Sequence, residues 1–287
     1  MTKRLFRPTN RHVRVLVGVL VASLFCILCS RTEAFRQSHL LVAVAGQAVG
    51  ENALSVQATV EKLARTDHVA LLEYCLKNYE GRYHDYTCTL IKQEQINHVV
   101  GKEQQMDVKF LDAPFSVAMK WTPETAPVGD RVVYVEGKYG NQMLVRPKGM
   151  LGQLVGTVMR QPDGAEAMKN TLRPVNKFGF KNSLEALLTV YRQAQAAGEL
   201  KEDFGGYAEV DGRKSIVLVR HLPPRDQYPS CKTVTFIDME YLVPIAIEGY
   251  DWEQKLSSRY IFRNIKFNMG LTPSDFLPTA NDMKMPK

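Results

Sequence analysis

Histidine and carboxylate side chains are the first places to look for chemistry in this sequence of 287 residues. Asp85 follows His84 directly, and Asp226 comes shortly after His221, so either carboxylate could orient an imidazole as a general base. However, the sequence has no G-x-S-x-G elbow and no Cys-Gly signature to supply a nucleophile. The histidines also lack the i, i+4 spacing, or the neighbouring Cys and His, of a metal site. We therefore predict a non-enzymatic protein without metal or cofactor. A hydrolase with a noncontiguous site is the alternative.

Two charged pairs have a simpler interpretation. Lys92 and Glu94 lie two positions apart in a predicted strand, which predicts a solvated charge pattern on one strand face. Glu202 and Asp203 fall in a predicted loop, where we also expect them to be solvated. Neither pair is assigned a catalytic role.

Large apolar side chains offer a clearer hypothesis than the polar ones. Several are thioethers, which adapt to irregular apolar shapes. They could form an ordinary hydrophobic core, or they could line a hollow in a curved sheet that takes up an acyl chain. The candidate ligand-binding residues are Met106, Phe110, Phe115, Met119, Trp121, Met143 and Phe236.

The N-terminus has the layout of a secretory signal. Five basic residues between Lys3 and Arg14 precede an apolar run from Val15 to Ser30, and small residues follow. This run is shorter than the roughly 20 residues that a membrane-spanning helix needs. We predict a signal peptide over residues 1–34, with a cut near 45 as an alternative, and a flexible segment over 35–52. The protein is then exported to the periplasm or cell envelope, unless an uncleaved N-terminal helix anchors it.

Export also removes the apparent basicity of the chain. The formal net charge of the whole sequence is +7, with 37 basic and 30 acidic residues. Residues 1–34 hold six of the basic residues and one of the acidic residues, so the remainder carries +2. A charge so close to zero gives no electrostatic footprint for nucleic acid.

Three cysteines remain after the predicted signal, namely Cys75, Cys88 and Cys231. In an oxidising compartment one disulfide and one free thiol are possible. Three buried, unpaired thiols are the other possibility, and the sequence leaves both open.

Hydrophobic periodicity predicts two helices. The first covers about 53–78, where Leu72, Cys75 and Tyr79 fall on one stripe, and Gly81 is expected to terminate it. The second covers about 183–197 and begins at a capping box formed by Asn182 and Glu185. Amphipathic helices of this kind need an apolar surface to cover.

Alternating patterns predict eight or nine strands, most of them pairing with their neighbours in sequence. Long strands are expected near 83–96, 105–110 and 115–121, and again near 215–222, 232–238, 242–249 and 256–266. Tight hairpins are predicted at Gly137–Asn141 and at Asp211-Gly212. Between these groups the glycine-containing stretch 150–173 is irregular and is our candidate for a mobile cover. The predicted fold is α+β and mainly antiparallel: a curved half-barrel sheet covered by helices, formed as one domain by residues 53–287.

The C-terminal stretch from Arg259 to Pro278 resembles the last strand and tail of LolA-type outer-membrane lipoprotein-sorting carriers. In both, a strand ends in an Asn-containing turn and is followed by a short segment closing on Phe-x-Pro, here Phe276-Leu-Pro278. The preceding Phe236-Ile-Asp238 and Leu242-Val-Pro244 fit the same pattern. This resemblance implies a half-barrel of the LolA/LppX type with an apolar cavity under helices.

A second resemblance spans Tyr86 to about Leu188 and concerns an uncharacterised bacterial family of exported domains of unknown function. It is carried by Tyr86-Thr-Cys-Thr-Leu-Ile-Lys-Gln-Glu94, Pro114-Phe-Ser-Val117, Lys120-Trp121, Val133-Tyr-Val-Glu-Gly137 and Pro162-Asp-Gly164. That family has no established activity to carry over.

Together these observations favour a carrier or sensor that binds a lipid or an acylated protein and makes at most transient contact with a membrane. We expect a monomer that does not bind nucleic acid. The alternative is an envelope protein-interaction module that binds through a strand edge and holds no ligand.

Overall fold

The computed structural model describes residues 55–127 and 129–285. The predicted signal peptide and the flexible segment over 35–52 lie outside the described residues. Thr59–Lys287 forms one compact unit, and the single-domain assignment of 53–287 stays a prediction. In the described part of the chain, no helix combines the length and apolar character needed to cross a membrane.

Twelve strands form one open, curved and mostly antiparallel sheet, which confirms the predicted fold class. Along the sheet the order is β7-β6-β5-β4-β3-β1-β12-β11-β10-β9-β8, and β2 pairs only with β1. Most neighbours in the sheet are therefore neighbours in sequence. The strands are β1 Asp85–Ile96, β2 Val99–Val100, β3 Gln104–Leu111, β4 Ser116–Trp121, β5 Gly129–Val135, β6 Met143–Pro147, β7 Val158–Arg160, β8 Lys201–Val210, β9 Arg213–His221, β10 Lys232–Asp238, β11 Pro244–Tyr250 and β12 Leu256–Phe267.

The predicted count of eight or nine strands was too low. Two of the missed strands, β2 and β7, have two and three residues, too few to show an alternating pattern. Both predicted hairpins are present. Asp211 and Gly212 have φ values of 55° and 72°, the left-handed conformation that a two-residue turn between antiparallel strands requires.

Five α-helices accompany the sheet over residues 55–127 and 129–285, and the first predicted helix is in fact two. Asp67 interrupts it with an extended backbone, and its side chain accepts a hydrogen bond from the Ala70 amide as the N-cap of α2. The helix then continues through Gly81, which does not terminate it. The helices are α1 over residues 55–66, α2 His68–Arg82, α3 Gly149–Val155, α4 Ala165–Met168 and α5 Phe180–Ala196.

Helix α5 begins earlier than predicted and without the predicted capping box. Its N-cap is Gly179, which makes no side-chain hydrogen bond. The Asn182 side chain instead donates to the Phe178 carbonyl at 2.7 Å. A Cβ on Gly179 would lie 2.8 Å from the Phe110 ring, so close packing on the sheet selects glycine here.

The two faces of the sheet are covered differently. We call the face that carries Met119 and Val132 the cavity face, and the opposite face the outer face. On the outer face the C-terminal segment supplies Phe276 and Met283 to a buried cluster with Val133 and Leu144. The C-terminal segment therefore covers part of the outer face.

Cys75, Cys88 and Cys231 are all buried and unpaired. The alternative with three free thiols is therefore correct, and no disulfide joins these elements.

Candidate functional site

A cavity of about 390 Å³ lies against the cavity face, between the strands and the chain that links β6 to α5. This volume falls in the range of roughly 300–1,000 Å³ that is usual for small-molecule sites. Its floor is formed by β1, β3, β4, β5, β6, β7, β11 and β12. Its opposite wall is formed by the other residues between 149 and 178, and we call residues 149–178 without β7 the cover segment.

The floor of the cavity is apolar because strand register aligns apolar side chains across several strands. Val132 pairs with Met119 on one side and with Val145 on the other. Val145 in turn pairs with Val158 of β7. Directly paired residues in an antiparallel sheet point to the same face, so these four side chains form one continuous row along the cavity.

Apart from β7, the cover segment contains the irregular stretch predicted over 150–173. It holds the short helices α3 and α4 and a 3-10 turn over Val175–Lys177, joined by irregular stretches. Val155, Pro162, Ala167 and Val175 supply its apolar contribution to the cavity wall. The predicted mobility of this stretch stays a prediction.

Some apolar side chains of α3 point to solvent. Met150 and Leu154 are 78% and 82% exposed. Val155, which also lines the cavity, is half exposed. The cover segment therefore presents apolar surface on the outside as well as on the cavity side.

One end of the cavity is polar. Glu94 accepts hydrogen bonds from Lys92 at 2.9 Å and from the Tyr260 hydroxyl at 2.6 Å. Lys92 also donates to the Thr171 hydroxyl at 3.0 Å, so this cluster connects the floor to the cover segment. We call Lys92, Glu94, Thr171 and Tyr260 the polar cluster.

The predicted solvation of Lys92 and Glu94 was wrong. The two residues are only 9% and 6% exposed. The pattern i, i+2 correctly put both on one strand face, but that face lies under the cover segment. Further hydrogen bonds to its charged groups stabilise a buried ion pair, and Thr171 and Tyr260 supply two of them.

Charged side chains lie both inside the cavity and on its rim. Inside, Lys92 and Glu94 neutralise each other. On the exposed rim, Arg160 lies 3.2 Å from Glu166, whereas Arg173 lies over the Tyr260 ring with its guanidinium carbon 5.5 Å from the centroid. Burial, followed by the Glu94 charge, raises the pKa of Tyr260, so this hydroxyl is a hydrogen-bond donor at neutral pH.

The structure brings four of the seven predicted site residues to this cavity. Met106, Met119, Trp121 and Met143 line it. Trp121 is held by a hydrogen bond from its Nε1 to Gln104 at 2.9 Å, so its indole donor is satisfied at the wall.

The other three predicted residues lie elsewhere. The Phe110 ring packs beneath Gly179, with Phe115 at 5.4 Å between centroids, and fills the core. Phe236 points to the outer face. Its neighbour Thr235 pairs with Ile247, which lines the cavity, and successive strand residues point to opposite faces.

The polar cluster is what sequence reasoning missed. The signal that could have found it is the alternation along the first strand. Tyr86, Cys88 and Leu90 form an apolar strand face, and Lys92 and Glu94 continue the same face. Charges that continue an apolar face are candidates for a buried pair.

The predicted histidine–carboxylate pairs are not catalytic dyads in the structure. Asp85 accepts hydrogen bonds from the backbone amides of Met269 and Gly270 and so anchors the C-terminal segment. His221 lies 3.5 Å from Asp203 rather than beside Asp226. Over residues 55–127 and 129–285, no three His, Cys, Asp or Glu side chains are grouped as a metal site.

The chain belongs to the family described as "Protein of unknown function (DUF1571)", whose sequence model matches residues 83–285. This confirms the resemblance to an uncharacterised family of domains of unknown function. None of the curated proteins compared with the chain matches it.

Several solved structures are similar in fold at low sequence identity. MucB in the Pseudomonas aeruginosa MucA/MucB complex is 14% identical with a TM-score of 0.44, and the match covers 74% of this chain and 61% of that chain. The Mycobacterium tuberculosis lipoprotein LppX is 10% identical with a TM-score of 0.35, over 71% and 96% of the two chains. A LolA superfamily protein from Nitrosomonas europaea is 8% identical with a TM-score of 0.29, also over 71% and 96%.

This chain thus spans less than two thirds of the MucB chain.

Proposed function

We propose that this protein is an exported carrier or sensor that binds a lipid, or the acyl chain of an acylated protein, in the cavity. The observation that carries the proposal is the continuous row of Met119, Val132, Val145 and Val158, which borders the free volume of the cavity. Covering apolar surface with an apolar ligand is favourable by about 0.8 kcal/mol per buried methylene.

Displacement of the cover segment would let the ligand enter and leave the cavity. Its contacts with the floor at the polar end are made through two side chains, Thr171 and Arg173, and its helices are short. Displacement of such a segment breaks few buried contacts, which is typical of elements that open locally.

The test compares a substitution that fills the cavity with a matched one that does not. Val132→Trp places an indole in the free volume, whereas Lys120→Trp adds the same ring on the outer face, where Lys120 is 57% exposed in its side chain. We expect Val132→Trp to abolish binding of an environment-sensitive apolar dye, measured by fluorescence titration, and Lys120→Trp to leave it unchanged.

Native mass spectrometry of protein purified from its own envelope adds a second readout. We expect copurified lipid with the unmodified protein and none with Val132→Trp. Repeated recovery of empty protein that also fails to take up the dye would contradict the proposal.

Strand β8 favours a protein-interaction module as the second candidate function. It lies at one end of the sheet order, is ten residues long and carries Tyr207 at 54% exposure. A long terminal strand can pair with an extended segment of a partner. In that case Tyr207→Glu should abolish the capture of a copurifying protein, and Val132→Trp should leave that capture intact.

A further inference from the structure

The volume of the cavity can be compared with the volume of a lipid chain. Its volume of about 390 Å³ is about two and a half times the ~150 Å³ of a cavity that accommodates benzene. Scaling from the six carbons of benzene gives room for about fifteen carbon atoms. This volume is close to that of one acyl chain.

The polar cluster is positioned to receive a head group at one end of that chain. Lys92 is nine-tenths buried and lines the cavity. Its ammonium group has three donors, and two of them are used, by Glu94 and Thr171. In the part of the chain that the structure describes, the third has no protein acceptor.

Arg173 lies next to the same cluster from the side of the rim. Its backbone amide lies 3.4 Å from the Thr171 hydroxyl, the hydroxyl to which Lys92 donates. Its guanidinium lies over Tyr260, and among the described residues it makes no ion pair with a carboxylate. Lys92 and Arg173 each carry one positive charge and Glu94 carries one negative charge. The three side chains together therefore give this end of the cavity one excess positive charge.

Deepening the proposed function, on which this inference rests, we propose that the ligand is a single-chain amphiphile with an anionic head group. The chain occupies the apolar floor along Met119 and Val132. The head, a carboxylate or a phosphate monoester, accepts hydrogen bonds from Lys92 and Arg173. A planar guanidinium favours such oxyanions through paired donors.

The test uses ligands that share a sixteen-carbon chain and differ only in the head: hexadecanoate, hexadecyl phosphate, hexadecanol and hexadecyltrimethylammonium. Each is titrated below its critical micelle concentration, near pH 8, against delipidated protein loaded with an apolar dye. We expect either anionic ligand to displace the dye about tenfold more tightly than hexadecanol, and the ammonium ligand to bind more weakly than the alcohol. A difference between hexadecanoate and hexadecyl phosphate identifies which anion is preferred.

Arg173→Gln is the diagnostic variant because Arg173 is exposed and its loss does not disturb the core. We expect it to reduce the preference for the anionic ligands several-fold while leaving hexadecanol affinity unchanged. Arg263→Gln is the matched control, since Arg263 is an exposed arginine on the outer face of β12, and it should change neither affinity.

A two-chain phosphatidylglycerol tests the limit to one chain, and we expect it to compete at least tenfold more weakly than hexadecanoate. Equal affinity for acid and alcohol, or tighter binding of the two-chain lipid, would overturn the inference while the cavity remained a lipid site. If the dye itself does not bind, the proposed function fails as well, so the two failures are distinguishable.

Discussion

The buried ion pair of the polar cluster yields the sharpest prediction for stability. We consider Lys92→Met, Glu94→Gln and the double variant that carries both. Each single change leaves one charge under the cover segment without its opposite charge, whereas the double change leaves none. The three variants therefore separate the effect of an unpaired charge from the loss of the pair.

The magnitude follows from the geometry. At the 2.9 Å between Lys92 Nζ and Glu94 Oε2, an effective dielectric of about 20 gives an attraction of about 6 kcal/mol. Desolvation of the two ions offsets most of it, and removal of one partner of a buried pair typically destabilises a protein by about 3–5 kcal/mol. We expect about 3 kcal/mol for each single variant, because the adjoining cavity lets water reach the remaining charge. We expect the double variant within about 1 kcal/mol of the unmodified protein.

Urea unfolding followed by circular dichroism measures these differences near pH 7. Lys181→Met is the control, because its partner Glu80 lies at 2.7 Å but both side chains are about half exposed. A solvated pair of that kind contributes less than about 1 kcal/mol.

The reasoning would be refuted if the double variant lost the sum of the two single losses, since the two charges would then not compensate each other. It would equally be refuted if Lys92→Met lost no more stability than Lys181→Met. Either result would mean that the pair is solvated, as the sequence alone had indicated.

Three further predictions concern packing. Gly179→Ala should destabilise the fold by more than about 2 kcal/mol, because its φ of 112° and a Cβ 2.8 Å from the Phe110 ring are both unfavourable. The control Gly198→Ala, with no atom within 4 Å of its Cβ, should lose only about 1 kcal/mol of stability. Equal losses of the two variants in thermal unfolding would contradict this prediction. Cys75, whose pKa burial raises to about 12, should react with a disulfide reagent near pH 8 only as the protein unfolds, and fast labelling of the native protein would count against it. Phe276→Ala should lose about 3–5 kcal/mol of stability in urea unfolding because the ring is fully enclosed on the outer face. The control Leu277→Ala, at a position that is 48% exposed, should lose less than about 1 kcal/mol. Similar losses of the two variants would show that the C-terminal segment does not pack there.

Local signals in the sequence predicted the elements well where those elements are long. The alternation over 105–110 and 115–121 predicted β3 and β4 because each strand has one buried face. The hairpin at Asp211-Gly212 was predictable because its φ requirement is local. Short elements such as β7 were missed, since three residues held by pairing with β6 carry no period of their own.

The candidate site was predicted only in part, and the residues show why. Met106, Met119, Trp121 and Met143 were identified because large apolar residues at alternate positions mark a buried face. The same criterion selected Phe110, which fills the core beneath Gly179, and Phe236, which lies on the outer face. Size and period do not distinguish a side chain that packs against another from one that borders free volume.

The sequence by itself determined the antiparallel strands, the amphipathic helices and the pairing of neighbours, because periodicity and turn chemistry depend on residues close together in the chain. Only the tertiary structure decided which face of each strand borders the cavity and that Lys92 and Glu94 are buried there. Those outcomes depend on β12, about 165 residues further along the chain, which brings Tyr260 to Glu94, and on the cover segment, which brings Thr171 to Lys92. A side chain is buried only when other residues pack over it, and here those residues come from segments that are distant in the sequence.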